Sequence, residues 1–284
     1  MHGKEKLKKS WRETGKALFL KKSRNHKSDN LSDLLEKDKA IWSKAFDQEN
    51  KKEKVVICAD ERVIPRKGEF KIGIAGQMIL AGKKDKDNFT RNWKGKIRAV
   101  RGHDGCGAAG VAYSKLSKTE KSRFLIKTKE EFLDYDPRNR VSDADLYGAY
   151  HSYLLAKELD AEFEYIGFSE MRGEKEFHDA RGIFWSADPT FDPTDLLKDN
   201  YLPPHFLANG LAFGLSEKYC REELKILTGI ALGNHGFEKL FNKNPPFYVV
   251  NVGKNLEEAK KMSKIARNIL GEHKDKIAFK YLST

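Results

Sequence analysis

The feature that most constrains the fold of this 284-residue chain is the alternation of short apolar runs with longer amphipathic segments. Runs of strand length occur at "KVVIC", "FKIGI" and "KIRAV", and again at "FEYIGF", "GIFW", "FYVVNV" and "KIAFKYL". Segments such as "DADLYGAYHSYLLAKEL" and "NLEEAKKMSKIARNILG" have the apolar spacing of helices. Strands that alternate with helices predict an α/β fold with a mostly parallel β-sheet flanked by helices. The sequence shows no internal repeat.

Two short motifs follow two of these runs. Cys58 ends "VVIC", and His103 and Cys106 come directly after "IRAV". In an open parallel sheet, functional groups gather outside the carboxyl ends of neighbouring strands, so we expect these three side chains in one crevice. Two thiolates and one imidazole are a good ligand set for zinc, and three protein ligands leave a fourth position open, as in catalytic sites. Cys220 lies in a predicted helix, and its spacing does not recruit it as a fourth ligand.

The residues after the first cysteine add a charged pair. In Cys58-Ala-Asp60-Glu-Arg62, a carboxylate lies two positions from the predicted ligand and a guanidinium two positions further on. A carboxylate so close to zinc could bind it and close the site. An arginine that holds this carboxylate in a bidentate pair keeps it ionised and off the metal. We therefore predict Asp60 and Arg62 as catalytic residues beside the metal.

The combined pattern resembles the β-class carbonic anhydrases. The resemblance rests on Cys-x-Asp-x-Arg-Val-x-Pro at 58–65, Gly-His-x-x-Cys-Gly at 102–107 and the upstream helix that contains "LLEKDKAIW". It implies that Cys58, His103 and Cys106 bind one Zn²⁺ per chain. It also implies that Asp60 accepts a hydrogen bond from water on the zinc, with Arg62 paired to Asp60.

The same resemblance implies an activity and an assembly. The activity is the reversible hydration of carbon dioxide to bicarbonate and a proton, on a parallel-sheet domain that forms a homodimer or a dimer-based oligomer. Gln77, in the turn after the second strand, is a weaker candidate for orienting substrate. Two alternatives stay open: a carbon disulfide or carbonyl sulfide hydrolase on the same scaffold, and a non-catalytic zinc protein whose basic arm binds nucleic acid.

The sequence divides into a basic arm and one domain. Residues 1–27 hold ten Lys and Arg against two acidic residues, which gives +8 of the net charge of +12. We expect 1–29 to form a disordered arm with weak, salt-sensitive contact to nucleic acid or an anionic surface. A single α/β domain follows over 30–284, with an N-terminal helix at 30–50, the metal-site core at 54–113 and a less familiar remainder at 114–284.

Composition also indicates a compartment. Three cysteines in a chain of this length cannot form a disulfide framework, so we expect a reducing cytoplasm. No apolar run approaches the roughly 18 residues that a membrane helix needs, and the basic N-terminus lacks the apolar core of a secretory signal. We therefore expect a cytoplasmic protein that does not span a membrane.

Overall fold

The computed structural model of the protein describes residues 42–48, 52–132, 142–171, 180–198, 205–233 and 246–284. The strands are β1 (Glu53–Ile57), β2 (Glu69–Gly73), β3 (Ala99–His103), β4 (Glu162–Ile166), β5 (Gly182–Ser186), β6 (Phe206–Ala208), β7 (Phe247–Val252) and β8 (Ile277–Leu282). The α-helices are α1 (Lys83–Trp93), α2 (Gly107–Ser114), α3 (Lys118–Glu131), α4 (Asp143–Leu159), α5 (Thr194–Lys198), α6 (Glu217–Leu232) and α7 (Leu256–Ile269). Short 3₁₀ turns cover Ala75–Met78 and Gly271–His273.

The strands form two parallel four-stranded sheets, in the orders β2-β1-β3-β4 and β6-β5-β7-β8. The predicted α/β class and the parallel pairing are confirmed, but the described strands divide between two sheets instead of one. In each sheet the first strand in sequence lies between the second and the third, and the fourth lies at the edge. The second sheet thus repeats the strand order of the first, a repeat that the sequence does not show.

Strand register identifies equivalent positions in the two sheets. Ile57 of β1 pairs with Gly73 and Arg101, and Trp185 of β5 pairs with Ala208 and Asn251. Ile57 and Trp185 are equivalent because each pairs with the last residue of the strand that follows it in sequence, Gly73 of β2 and Ala208 of β6.

The turns that follow these strands also match. A carboxylate oxygen of Asp60 accepts a hydrogen bond from the amide of Arg62 at 2.9 Å, and Asp188 accepts one from the amide of Thr190 at 2.8 Å. Both turns begin with the aspartate that lies three residues after the equivalent positions Ile57 and Trp185. The segments "CADERVIP" and "SADPTFDP" therefore occupy corresponding places.

The two sheets meet where β2 ends and β6 runs. The amide of Leu207 donates to the carbonyl of Ala59, and the amide of Asn209 donates to the carbonyl of Gly73, both at 3.1 Å. A Cβ atom on Gly73 would lie 2.0 Å from the carbonyl oxygen of Leu207, so this position needs glycine. Apolar side chains of both sheets, among them Val56, Val100, Ile183 and Val249, share one buried core.

Helix α6 begins at a side-chain cap and has one buried face. The hydroxyl of Ser216 accepts a hydrogen bond from the amide of Tyr219, which fixes the first turn of the helix. The buried residues recur at helical spacing and pack mainly on β5 and β6. They are Tyr219, Cys220, Glu223, Leu224, Leu227, Thr228, Ala231 and Leu232. Glu223 is the acidic member of this otherwise largely apolar face.

The described residues cover the N-terminal predictions only in part. The arm at 1–29 and most of the helix predicted at 30–50 lie outside them. Trp42 and Ser43 are helical, and the chain then turns instead of continuing the helix to residue 50. No helix in the described part of the chain combines the length and the apolar character needed to cross a membrane.

Candidate metal centre

The three predicted ligands lie together at the carboxyl ends of β1 and β3. Cys58 follows β1, His103 is the last residue of β3, and Cys106 is the residue before α2. Their ligand atoms all lie within 4.8 Å of one another, and the two sulfur atoms are 3.9 Å apart. A tetrahedral zinc ion with bonds of about 2.3 Å to sulfur holds two thiolates about 3.8 Å apart. The separation of the two sulfur atoms therefore fits one zinc ion.

The imidazole is oriented for coordination. Nδ1 of His103 lies 2.8 Å from the carbonyl oxygen of Asp104, so this nitrogen carries the proton and donates it. Nε2 is buried and has no hydrogen-bond partner among the described residues. A hydrogen bond from one ring nitrogen to a backbone carbonyl is the usual way to fix the tautomer of a metal-binding histidine. The orphaned Nε2 is then the ligand atom.

The two cysteines of the cluster are joined by a hydrogen bond between their sulfur atoms. A hydrogen bond from Cys106 lowers the pKa of Cys58, against the opposing effect of burial, and the same hydrogen bond together with burial raises the pKa of Cys106. The pKa of His103 is raised, because the attraction of Cys58 outweighs the lowering effect of burial. A divalent cation would bind both cysteines as thiolates, and its positive charge would balance the negative charge on the two sulfur atoms.

Asp60 and Arg62 form a buried, bidentate pair beside the cluster. One carboxylate oxygen accepts from Nε of Arg62 at 3.0 Å, and the other accepts from a terminal guanidinium nitrogen at 2.7 Å. Burial lowers the pKa of Arg62, but the Asp60 carboxylate outweighs it and the net shift is upward. Arg62 also donates to the carbonyl of Gly105, which ties the pair to the loop that carries Cys106.

The cluster has three ligands and no fourth among the described residues. The carboxylate of Asp60 lies outside it, and so does Cys220, which is buried on α6. Among the described residues, a tetrahedral ion held here would have three protein ligands, one fewer than its coordination number.

The equivalent place in the second sheet lacks these ligands. Counted along the chain from the equivalent strand positions, Ser186 corresponds to Cys58, Gly253 corresponds to His103 and Leu256 corresponds to Cys106. Ser186 hydrogen-bonds to the backbone of Asp188. The second sheet thus repeats the strands and the aspartate turn of the first without its metal-binding side chains.

A strained turn after β2 borders the cluster. Gly76, Gln77 and Met78 all have positive φ angles, of 56°, 47° and 68°. The amide of Gly76 donates to Sγ of Cys58 at 3.3 Å. Gln77 is buried; its side-chain carbonyl accepts from Ser152, and its Nε2 has no partner among the described residues.

Helix α6 adds two residues that the sequence analysis missed. Glu223 accepts a hydrogen bond from the amide of Ala75 at 2.6 Å, and the hydroxyl of Tyr219 makes a long contact, 3.5 Å, with the carbonyl of Ala75. The signal that could have found Glu223 is an acidic residue on the apolar face of a predicted helix. Comparison with known proteins adds no relative, because no family model, curated protein or solved structure matches the chain.

Proposed function

We propose that the protein is a zinc-dependent enzyme of the β-carbonic anhydrase type, which hydrates carbon dioxide reversibly to bicarbonate and a proton. The observation that carries the proposal is a buried Cys-His-Cys cluster, with no fourth ligand among the described residues, and a bidentate Asp–Arg pair two to four positions after the first cysteine. Cys₂His favours zinc among the common ions. A structural zinc site would more often have four protein ligands.

Cys58 and Cys106 would hold the ion through Sγ, and His103 through Nε2. When bound, such an ion would supply a Lewis acid, which lowers the pKa of a water molecule to about 7. The amide of Gly76 supports Cys58 by donating to its sulfur, and the carbonyl of Asp104 fixes the ring of His103.

Asp60 and Arg62 orient the attacking water. Because Arg62 keeps the carboxylate ionised, Asp60 can only accept hydrogen bonds. A water molecule beside Asp60 therefore donates to the carboxylate and turns a lone pair towards the substrate carbon. The reaction takes up one water and one carbon dioxide and releases bicarbonate and one proton to solvent or buffer.

Stopped-flow carbon dioxide hydration, with the metal content determined on the same sample, tests the proposal. We expect bound zinc and hydration well above the buffer rate. Zinc without hydration would overturn the substrate assignment, and assays with carbon disulfide and carbonyl sulfide would then test the alternative hydrolase. Absence of zinc after reconstitution would overturn the metal centre itself.

A further inference from the structure

Helix α6 packs on the second sheet but also reaches the first sheet at two places, the turn after β2 and Gly107 beside Cys106. It packs on β5 and β6, and its buried face continues to the turn after β2. It also approaches the loop of Cys106, since a Cβ atom on Gly107 would lie 2.7 Å from Cδ1 of Ile230. A helix of the second sheet, whose described residues contribute no ligand to the cluster, therefore contacts backbone on two sides of the metal centre.

Two residues one helical turn apart contact the two backbone polar groups of Ala75, which belong to successive peptide units. Glu223 accepts from the amide of Ala75, and Tyr219 lies against the carbonyl of Ala75. Positions i and i+4 share one face of a helix, so both side chains approach Ala75 from the same side. The backbone at Ala75 is therefore held from both its amide and its carbonyl side.

The next amide in the chain is the one that reaches a metal ligand. Gly76 donates to Sγ of Cys58 and has a φ of 56°. A Cβ atom on Gly76 would lie 2.9 Å from Cβ of Ala108 and 3.6 Å from Sγ of Cys106, so its backbone fits closely between the two thiols. The carbonyl of Ala75 and the amide of Gly76 belong to one peptide unit, so contacts that anchor the backbone on both sides of Ala75 also limit the direction in which the Gly76 amide points.

Glu223 is unusual for a residue with only a packing role. It is 1% exposed, and its Oε2 atom has no hydrogen-bond partner among the described residues. A buried polar atom without a partner destabilises the folded protein, and an apolar residue on this helix face would avoid that cost. The hydrogen bond that Glu223 accepts from the amide of Ala75 offsets part of this cost.

We propose that Glu223 is a positioning residue of the metal centre, which holds the Ala75–Gly76 backbone so that the Gly76 amide stabilises the Cys58 thiolate. This inference rests on the metal centre proposed above and extends it across the two sheets. Glu223 acts on the ligand through two backbone groups and does not bind the ion.

The test compares Glu223→Ala and Glu223→Gln in the full chain, with Glu222→Ala as the matched control. Glu222 is the exposed neighbour on the same helix. Zinc affinity is measured by competition with a chelator, and the cobalt-substituted protein reports thiolate ligation through its charge-transfer absorption. Thermal unfolding of the metal-free protein reports any general loss of stability.

Loss of a direct outer partner of a metal ligand typically weakens metal binding about 10–100-fold. Because Glu223 acts on Cys58 through Ala75 and Gly76, we expect Glu223→Ala to weaken zinc binding by about 10-fold, at the lower end of that range, and to shift the cobalt band. Glu223→Gln keeps a carbonyl oxygen for the Ala75 amide and should retain most of the affinity. Glu222→Ala should match the unchanged protein in affinity and in spectrum.

Two results would overturn the inference. One is Glu223→Ala with unchanged zinc affinity and cobalt band. The other is a folded Glu223→Gln that binds zinc as weakly as Glu223→Ala, because the bond to Ala75 would then not be the cause. Failure of the unchanged protein to bind zinc would instead overturn the metal centre, so the two failures are distinct.

Discussion

Cys58 and Cys106 place their sulfur atoms 3.9 Å apart, although 48 positions separate them in the sequence. Parallel pairing of β1 with β3 is what brings them together, because Cys58 follows one strand and Cys106 lies just beyond the other. The pair is buried, and Nε2 of His103 completes a triangle of ligand atoms within 4.8 Å.

The first prediction concerns the ligand assignment. Cys106→Ser should lose zinc and hydration activity together, because an alcohol replaces the thiolate and is rarely deprotonated at neutral pH. Metal analysis and stopped-flow hydration on the same sample check this. Cys220→Ser is the matched control, since Cys220 is also buried but lies outside the cluster. Full activity with Cys106→Ser would refute the assignment.

The second prediction separates Asp60 from the metal ligands. Asp60→Asn should retain zinc but reduce kcat by about 10²-fold or more, because the amide can donate hydrogen bonds and no longer fixes the orientation of the attacking water. Zinc content and stopped-flow kinetics measure the two effects independently.

The control for Asp60→Asn is the same substitution at Asp188, in the corresponding turn of the second sheet. Asp188 accepts the same amide hydrogen bond as Asp60, but its sheet carries no metal ligands at the equivalent positions. Asp188→Asn should therefore leave kcat unchanged. Equal effects of the two substitutions would show that the turn matters only for folding.

Much of the first sheet could be predicted because its signals are local. The run "VVIC" predicts a strand and its end, and the motif spacing then places Cys58, His103 and Cys106 at one edge. The division into two sheets could not be predicted, because strand order depends on pairing between residues far apart in sequence. The repeat is hidden as well, since "CADERVIP" and "SADPTFDP" share only three residues in eight positions.

Glu223 was missed for a related reason. It lies in "SEKYCREELKILTGIAL", where acidic residues are frequent, and it meets Ala75 across 148 positions of sequence. Helical spacing places it on the same face as Tyr219 and Leu227, but this spacing cannot say what that face covers.

The third prediction concerns metal stoichiometry. The two sheets have the same strand order, yet Ser186, Gly253 and Leu256 occupy the positions of the ligands in the second sheet. We expect one zinc per chain, measured by elemental analysis against amino-acid quantification. Ser186→Ala should leave this value unchanged, whereas two zinc ions per chain in the unaltered protein would contradict the assignment.

The fourth prediction concerns the ion pairs and hydrogen bonds around Glu69 in the first sheet. Glu69 on β2 accepts hydrogen bonds from Arg101 on β3, from Arg98 and from the amide of Arg66. Although burial alone would raise it, the pKa of Glu69 falls to about 2 because these donors favour the charged form. Arg101 is almost fully buried, so removing the Glu69 charge leaves Glu164 as the remaining carboxylate partner of its guanidinium.

Glu69→Gln should therefore lower the free energy of unfolding at pH 7 by about 2–3 kcal/mol. The ordinary pKa of this carboxyl, 4.5, lies above its value in the folded protein. The stabilisation is thus complete above about pH 5 and is lost as the pH falls towards 2. Urea unfolding of the metal-free protein between pH 7 and pH 3 should show the two proteins converging. Glu162→Gln removes an exposed partner of Arg98 and should change stability by less than about 1 kcal/mol, so an equal loss in both variants would contradict this account.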